Sequence, residues 1–288
     1  MEWGKDSFRG QPFNGAVDDA QAANVLLGAP MDFSACFRPG SRFGPEAIRQ
    51  LSYNLEDYSL QLEKSLEDVE YYDAGDLFLP FGNITRSLAI IEAAVEQLLS
   101  RGQRPFVMGG DHLITLACLR AFARHYPGLK LVHIDAHADL RDEYIGEHLS
   151  HATVVGHAVR SLNLGGVWQF AIRSATRAEH EFARKHTNFF PFHLVEPLNR
   201  VLSSLTGPVY ISLDIDAVDP AYAPGTGTPE SGGISPQELL QGLQLLGQCQ
   251  VVGFDLVEVA PAYDVSSITA ALAAKVVREA LILFGKQP

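Results

Sequence analysis

The chain has 288 residues, 47% of them hydrophobic and 19% charged, the proportions of an ordinary globular protein with room for a large core. Lys and Arg total 22 against 34 Asp and Glu, a formal net charge of −12. That balance argues against nucleic acid and anionic membranes as partners and mildly favours small cations. Cys36, Cys118 and Cys249 are odd in number and lack metal-pair spacing, so they read as small hydrophobes of a reducing compartment. The opening "MEWGKDSFRG" has no apolar leader and no stretch is long enough to span a bilayer, which points to the cytoplasm.

In chain order, apolar β-branched runs alternate with helical patterns. "ANVLLGAP" from Ala23 and "DVEYYDAG" from Asp68 read as strands. Thr85 to Gly102 then carries apolar spacing near the helical period, with Gly102 as its stop. Strands are predicted again at "RPFVMGG" (from Arg104), "LKLVHIDA" (from Leu129), "VWQFAIRS" (from Val167), "TNFFPFHL" (from Thr187) and "PVYISLDID" (from Pro208). Ser235, Pro236 and Glu238 predict a capping box at the start of a helix, and "CQVVGFDLVEVAP" from Cys249 is the last strand. About eight strands interleaved with helices, several apolar on both faces, predict a parallel sheet covered on both sides. Periodicity alone leaves an open sheet and a closed barrel unresolved. No linker, charge block or repeat divides the chain, so residues 1–288 are expected to form one domain.

Four polar motifs stand where predicted strands end: "MGGDH" (Met108–His112), "DAHAD" (Asp135–Asp139), "SLDIDAVDP" (Ser212–Pro220) and "DLVEVAP" (Asp255–Pro261). In a parallel α/β fold, ligands bind beyond the carboxyl ends of strands. Strand alternation would turn Asp135, His137 and Asp139 to one side, and likewise Asp214 and Asp216; the Gly-Gly before Asp111 would allow close backbone approach. One such Asp or His is usually a cap or a satisfied core group. Four carboxylates crowded at the end of a buried sheet are different, because they repel and lose hydration unless cations neutralise them. Oxygen-rich with imidazole and without thiolate, the set suits Mn²⁺ better than a structural zinc. Six ligands exceed the needs of one ion with an open position, so a binuclear centre is expected. "APGTGTPESGG" (Ala223–Gly233) lacks the lysine of a phosphate loop and is expected to wall the metals instead.

These motifs, continuous with "RPGSRFGPEAIR" (Arg38–Arg49) and "SSITAALAAKVVREAL" near the C-terminus, resemble the ureohydrolase family of arginases and agmatinases, and agmatinases most. The resemblance implies a three-layer α/β/α sandwich around a mainly parallel sheet of about eight strands. It implies two Mn²⁺ per subunit: one on His112, Asp135, Asp139 and Asp214, the other on Asp135, His137, Asp214 and Asp216. It further implies hydrolysis of a guanidinium by a hydroxide shared between the ions, with Asp139 carrying a proton to the departing nitrogen. His151 would shuttle protons, Glu258 would pair with the guanidinium, Thr228 would line its pocket, and Asp255 would support them. A homo-oligomer, trimer or hexamer, is also implied. His133 is expected to be a satisfied core group, His148 to lie near the site without ligating, and His180 and His186 to lie on a solvated helix.

Substrate choice turns on "LRDEYIGEHLS". Where arginases present polar readers of the amino-acid end, usually Asn and Ser, this chain has Arg141 and Glu147 in a segment one residue shorter. Asp142, Glu143 and Glu147 make it acidic, which favours a decarboxylated amine tail; Arg141 points the other way. The expectation is agmatine, cleaved to putrescine and urea, with Glu147 among the substrate contacts. Arginase, guanidinobutyrase, guanidine hydrolase and formiminoglutamase activities are the alternatives on the same centre, and a silent metal-binding homologue is the alternative of another class.

Overall fold

The computed structural model describes residues 12–286; the N-terminal stretch read for a leader falls outside them. Strands β1 (Asn24–Ala29), β4 (Tyr71–Asp76), β5 (Arg104–Gly109), β6 (Lys130–Ile134), β7 (Gly166–Ile172), β8 (Asn188–Pro191), β9 (Pro208–Asp214) and β10 (Gln250–Val257) form one sheet in the order β4-β1-β5-β10-β9-β6-β7-β8. Every pairing in it is parallel. The eight segments expected to be strands are these eight, and the sheet is open. A small antiparallel hairpin, β2 (Tyr58–Ser59) with β3 (Lys64–Ser65), stands apart.

Alternation along the strands feeds two cores. Leu26, Phe106, Val132, Ile211 and Phe254 face one layer, built with α1 (Gly44–Ser52), α6 (Val195–Val201), α7 (Pro236–Leu246) and α8 (Ile268–Phe284). Val25, Leu27, Val107, Leu131 and Tyr210 face the other, covered by α2 (Ile84–Ser100), α3 (Ile114–His125), α4 (Val154–Ser161) and α5 (Arg177–His186). Both faces are dry, which is why these strands read as continuous apolar runs. Among the described residues no helix is long and apolar enough to cross a membrane.

Helix ends follow local chemistry. Asn83, which matches a glycosylation sequon in sequence, accepts the Arg86 N–H at 3.0 Å and caps α2, while Gly102 takes φ +75° just past its end. Ser235 caps α7 through the Glu238 N–H at 3.1 Å. The expected reciprocal half of that capping box is absent: the Glu238 carboxylate instead accepts the Leu194 N–H at 3.0 Å, tying α7 to the start of α6. Because the order of strands reverses direction in the middle of the sheet, β5, β10, β9 and β6 lie side by side. The four polar motifs therefore emerge together.

Candidate metal centre and substrate cleft

The two glycines ending β5 have a steric reason. A Cβ on Gly109 would lie 2.6 Å from Val257 Cγ1, and one on Gly110 would lie 1.8 Å from the Met31 carbonyl oxygen. Their bareness lets the end of β5 close on β10 and on the loop after β1, and this aims His112 across the sheet. The His112 Nδ1 atom lies 3.0 Å from Asp135 Oδ2, 3.3 Å from Asp139 Oδ2 and 3.4 Å from Asp214 Oδ2. His137 Nδ1 lies 3.0 Å from Asp216 Oδ2 and 3.5 Å from Asp135 Oδ1. Asp135 thus faces both histidines. Asp214 stands on the His112 side and reaches the other only by accepting the Asp216 N–H at 2.8 Å.

The six residues converge, but not by strand alternation. β6 ends at Ile134, before the motif; His137 bridges Ser174, and Asp139 sits at φ +52°. Asp135 Oδ1 accepts the His137 N–H at 2.5 Å and Asp216 Oδ1 accepts the Ala136 N–H at 3.1 Å. β9 likewise ends at Asp214, which caps a 3₁₀ turn, Ile215–Ala217. Carboxylates gripping loop N–H groups, rather than a pleated strand, bring the set together.

Electrostatics mark the cluster as incomplete. Burial opposes charge on His112, but the oxygens of Asp135, Asp139 and Asp214 outweigh it and hold its pKa well above the ordinary imidazole value. Burial likewise opposes charge on His137, and Asp216 with Asp135 push it up to about 12. Burial, then the charges of Asp216 and Asp135, hold Asp214 well above the carboxylate range, and burial also raises Asp216 despite His137. Asp135, against its burial, is held well below that range by His133 and its neighbouring histidines. Protons are standing in for positive charge. Two buried atoms, His112 Nδ1 and Asp216 Oδ2, have no aligned hydrogen-bond partner although each lies 3.0 Å from an opposing group. Both belong to groups of ligand atoms that lie within 4.8 Å of one another, an arrangement that suits shared cations. The residues fit divalent ions.

His133 lies within ligand distance of the same group, yet both its nitrogens are engaged. Nε2 donates to Asp135 Oδ2 at 2.9 Å and Nδ1 accepts from Gln169 Nε2 at 3.1 Å. It orients Asp135, as a satisfied core group should. Asp255 supports His112: Ser212 Oγ donates to Asp255 Oδ1 at 2.7 Å and accepts from His112 Nε2 at 2.9 Å, which leaves Nδ1 bare. Ser212 and Gln169 went unread in the sequence, where nothing separates them from any polar residue in a strand.

Beside the cluster opens a solvent-accessible cleft lined by residues 35–38, His151, Gly227, Thr228 and Glu258. The glycine-rich loop is its wall, as expected. Glu258, at φ +65° and 8% exposed, accepts the His112 N–H at 2.9 Å through Oε1. Burial and the nearby Asp111 charge hold its carboxyl well above the usual range. Among the described residues no lysine or arginine forms an ion pair with it; Arg38 stacks instead on Phe37 and Tyr263. Glu147 is exposed on a tight turn with Tyr144 and is not among the residues lining the cleft. His148 is exposed, its Nδ1 3.1 Å from the Asp142 carbonyl, and His180 and His186 are exposed on α5.

The model of the arginase family matches residues 22–283. The chain belongs to the arginase family. Among its arginase-family relatives, the agmatinase of Bacillus subtilis (strain 168) is 44% identical over 286 residues, covering 98% of this chain and 99% of that protein. The agmatinase of Bacillus anthracis is 48% identical over 262 residues, 90% of each. Among solved arginase-fold structures, the agmatine ureohydrolase of Thermoplasma volcanium superposes with a TM-score of 0.86 at 31% identity, covering 97% of this chain and 96% of that one.

Proposed function

We propose that the protein hydrolyses agmatine to putrescine and urea at a binuclear manganese centre. His112, Asp135, Asp139 and Asp214 would hold one ion, and Asp135, His137, Asp214 and Asp216 the other. When bound, two such cations supply a water acidified enough to act as nucleophile near neutral pH. The observation that carries the reading is Glu258: a buried carboxyl group in a cleft beside the cluster, with no lysine or arginine among the described residues to pair with it. A guanidinium answers that need, pairing with the carboxylate through parallel N–H donors. Held there, its carbon is presented to the ligand cluster rather than to solvent, and placement of this kind is what a resonance-stabilised electrophile requires. Asp139 takes the proton given up by the attacking water and passes it to the departing nitrogen. His151 exchanges a proton with the amine as it leaves.

The rim of the cleft favours the decarboxylated substrate. Arg141 is engaged by its neighbours: its Nε lies 3.7 Å from Glu179 and its guanidinium stacks on Tyr144, 4.7 Å from the ring. Asp142 pairs with Arg160 at 2.9 Å. Glu143 and Glu147 remain exposed with no ion-pair partner among the described residues. An ammonium tail is attracted to that rim and a carboxylate is not. The matches to agmatinases agree. The test is urea release by the manganese-loaded protein from a panel of guanidino compounds. Agmatine is expected to react at least about tenfold faster than arginine, a difference of about 1.4 kcal/mol. Equal rates, or a preference for arginine, would overturn the substrate and leave the centre standing.

A further inference from the structure

His151 is held by one small device that no ligand or cleft requirement explains. It opens a short 3₁₀ turn, His151–Thr153, far in sequence from the loop that follows β1. Yet Ser34 of that loop engages it through two short contacts and a longer one, Ser34 Oγ to His151 Nδ1 at 3.5 Å. The His151 backbone N–H donates to Ser34 Oγ at 3.0 Å, and its ring Nδ1 lies 2.8 Å from the Ser34 carbonyl oxygen. Ser34 is itself tied down from beneath. Its N–H and its hydroxyl both reach Asp111 Oδ2, at 3.0 and 2.9 Å, and Asp111 is fully buried.

The directions of these bonds admit one assignment. A carbonyl only accepts, so Nδ1 must carry hydrogen. The Ser34 hydroxyl donates to Asp111 Oδ2, and with its proton spent there it can offer His151 nothing but lone pairs. The neutral ring therefore holds its proton on Nδ1 and presents a bare Nε2. That atom lies on the cleft side, 3.5 Å from Cys36 Sγ. The close approach that Gly110 allows between the end of β5 and Met31 brings Asp111 under Ser34.

We propose that Ser34 and Asp111 are positioning residues for the reaction, a clamp that fixes the tautomer and direction of the His151 ring so that Nε2 takes up and returns protons in the cleft. The proposal rests on the reading of His151 as a proton carrier. Neither residue touches substrate. Their contribution is to make one rotamer and one tautomer the resting state, so that no reorganisation precedes proton transfer.

The test compares Ser34→Ala, Ser34→Thr, Asp111→Asn and His151→Asn in the manganese-loaded protein. Ser34→Ala is expected to lower kcat about 10- to 100-fold, with KM for agmatine and bound metal within twofold of the parent and a larger solvent deuterium isotope effect on kcat. Ser34→Thr keeps the hydroxyl and should restore both. Asp111→Asn should follow Ser34→Ala in direction. A second measurement is independent of turnover: in magnesium-loaded protein labelled with ¹⁵N-histidine, the His151 signals, identified by their loss in His151→Asn, should report the Nδ1–H tautomer and shift toward a mixture in Ser34→Ala. Unchanged kcat and isotope effect in Ser34→Ala, alongside a disabled His151→Asn, would overturn the clamp and spare the proton-carrier reading. Full activity in His151→Asn would overturn the proton-carrier reading, and with it the catalytic purpose of the clamp. Unchanged imidazole signals in Ser34→Ala would overturn the tautomer assignment whatever the kinetics.

Discussion

Two of the molecule's clusters of buried carboxylates are treated in opposite ways. Between α1 and β4, Arg49 lies 2.7 Å through Nε and 2.9 Å through Nη2 from the two oxygens of Asp73, and 2.5 Å through Nη1 from Asp76. Asp73 also accepts the Phe13 and Gly75 N–H groups, at 2.8 and 2.9 Å. Burial opposes the charge on Arg49, but Asp73 and Asp76 outweigh it and the guanidinium stays charged. That cluster is closed. At the ends of β5, β6 and β9, four aspartates meet three histidines, His112, His133 and His137, with no lysine or arginine paired to them among the described residues, and His112 Nδ1 and Asp216 Oδ2 have no aligned partner. The difference teaches where to look for chemistry: a buried acid answered by a protein cation holds the fold, and one left partly unanswered awaits something from outside.

The largest expected effect is Asp214→Ala. Because it would remove a ligand shared by both ions, metal analysis should find neither retained. Urea release should fall by at least about 10⁴-fold, since water loses an acidification of more than about eight pKa units. Full metal occupancy in Asp214→Ala would contradict the shared-ligand scheme.

Arg49→Met probes the other side of the contrast. Leaving Asp73 buried without its cation should cost about 3 kcal/mol of stability in denaturant unfolding. Metal content and kcat of the folded fraction should stay within twofold. If Arg49→Met instead stripped the metals while stability held, the division between a closed and an open cluster would be wrong.

How far the sequence revealed this contrast depends on what each cluster is made of. The open cluster was legible because its motifs recur at strand ends, a place that fold class alone marks as special; all six proposed ligands come together there. The geometry that joins them was not legible. Asp139 reaches His112 from a left-handed backbone position and Asp216 reaches His137 from a 3₁₀ turn, neither of which the period-2 pattern describes. Glu147 was drawn into the site by charge, but its turn leaves it exposed and outside the residues that line the cleft. Ser34, Gln169 and Ser212 act across 117, 36 and 100 residues on His151, His133 and His112, so local spacing carries no trace of them. Arg49 on an amphipathic helix looks like a surface residue until the sheet supplies Asp73.

The smallest expected effect sharpens the comparison most finely, because it reads protons. In the metal-free protein the His137 pKa is raised from its unfolded value near 6.5 up to about 12. A raised imidazole contributes stability that is fully present below about pH 6.5 and is lost as pH climbs through the folded value. Asp214 and Asp216, also raised, act in the same direction once pH exceeds their unfolded values near 3.9. Asp135, lowered, has the opposite sign, but its contribution is lost only in acid, outside this window. Between pH 6.5 and 9 the metal-free protein should therefore lose stability, by about 1 kcal/mol per pH unit for each extra proton held, or roughly 2–4 °C in melting temperature. The manganese-loaded protein should show a flatter profile, since the ions displace those protons. Calorimetry of metal binding at pH 7 in two buffers of different ionisation heat should register at least about one proton released per chain. Parallel profiles with no proton release would mean that the open cluster is already neutralised from within, as the Arg49 cluster is, and the two sites would no longer differ in kind.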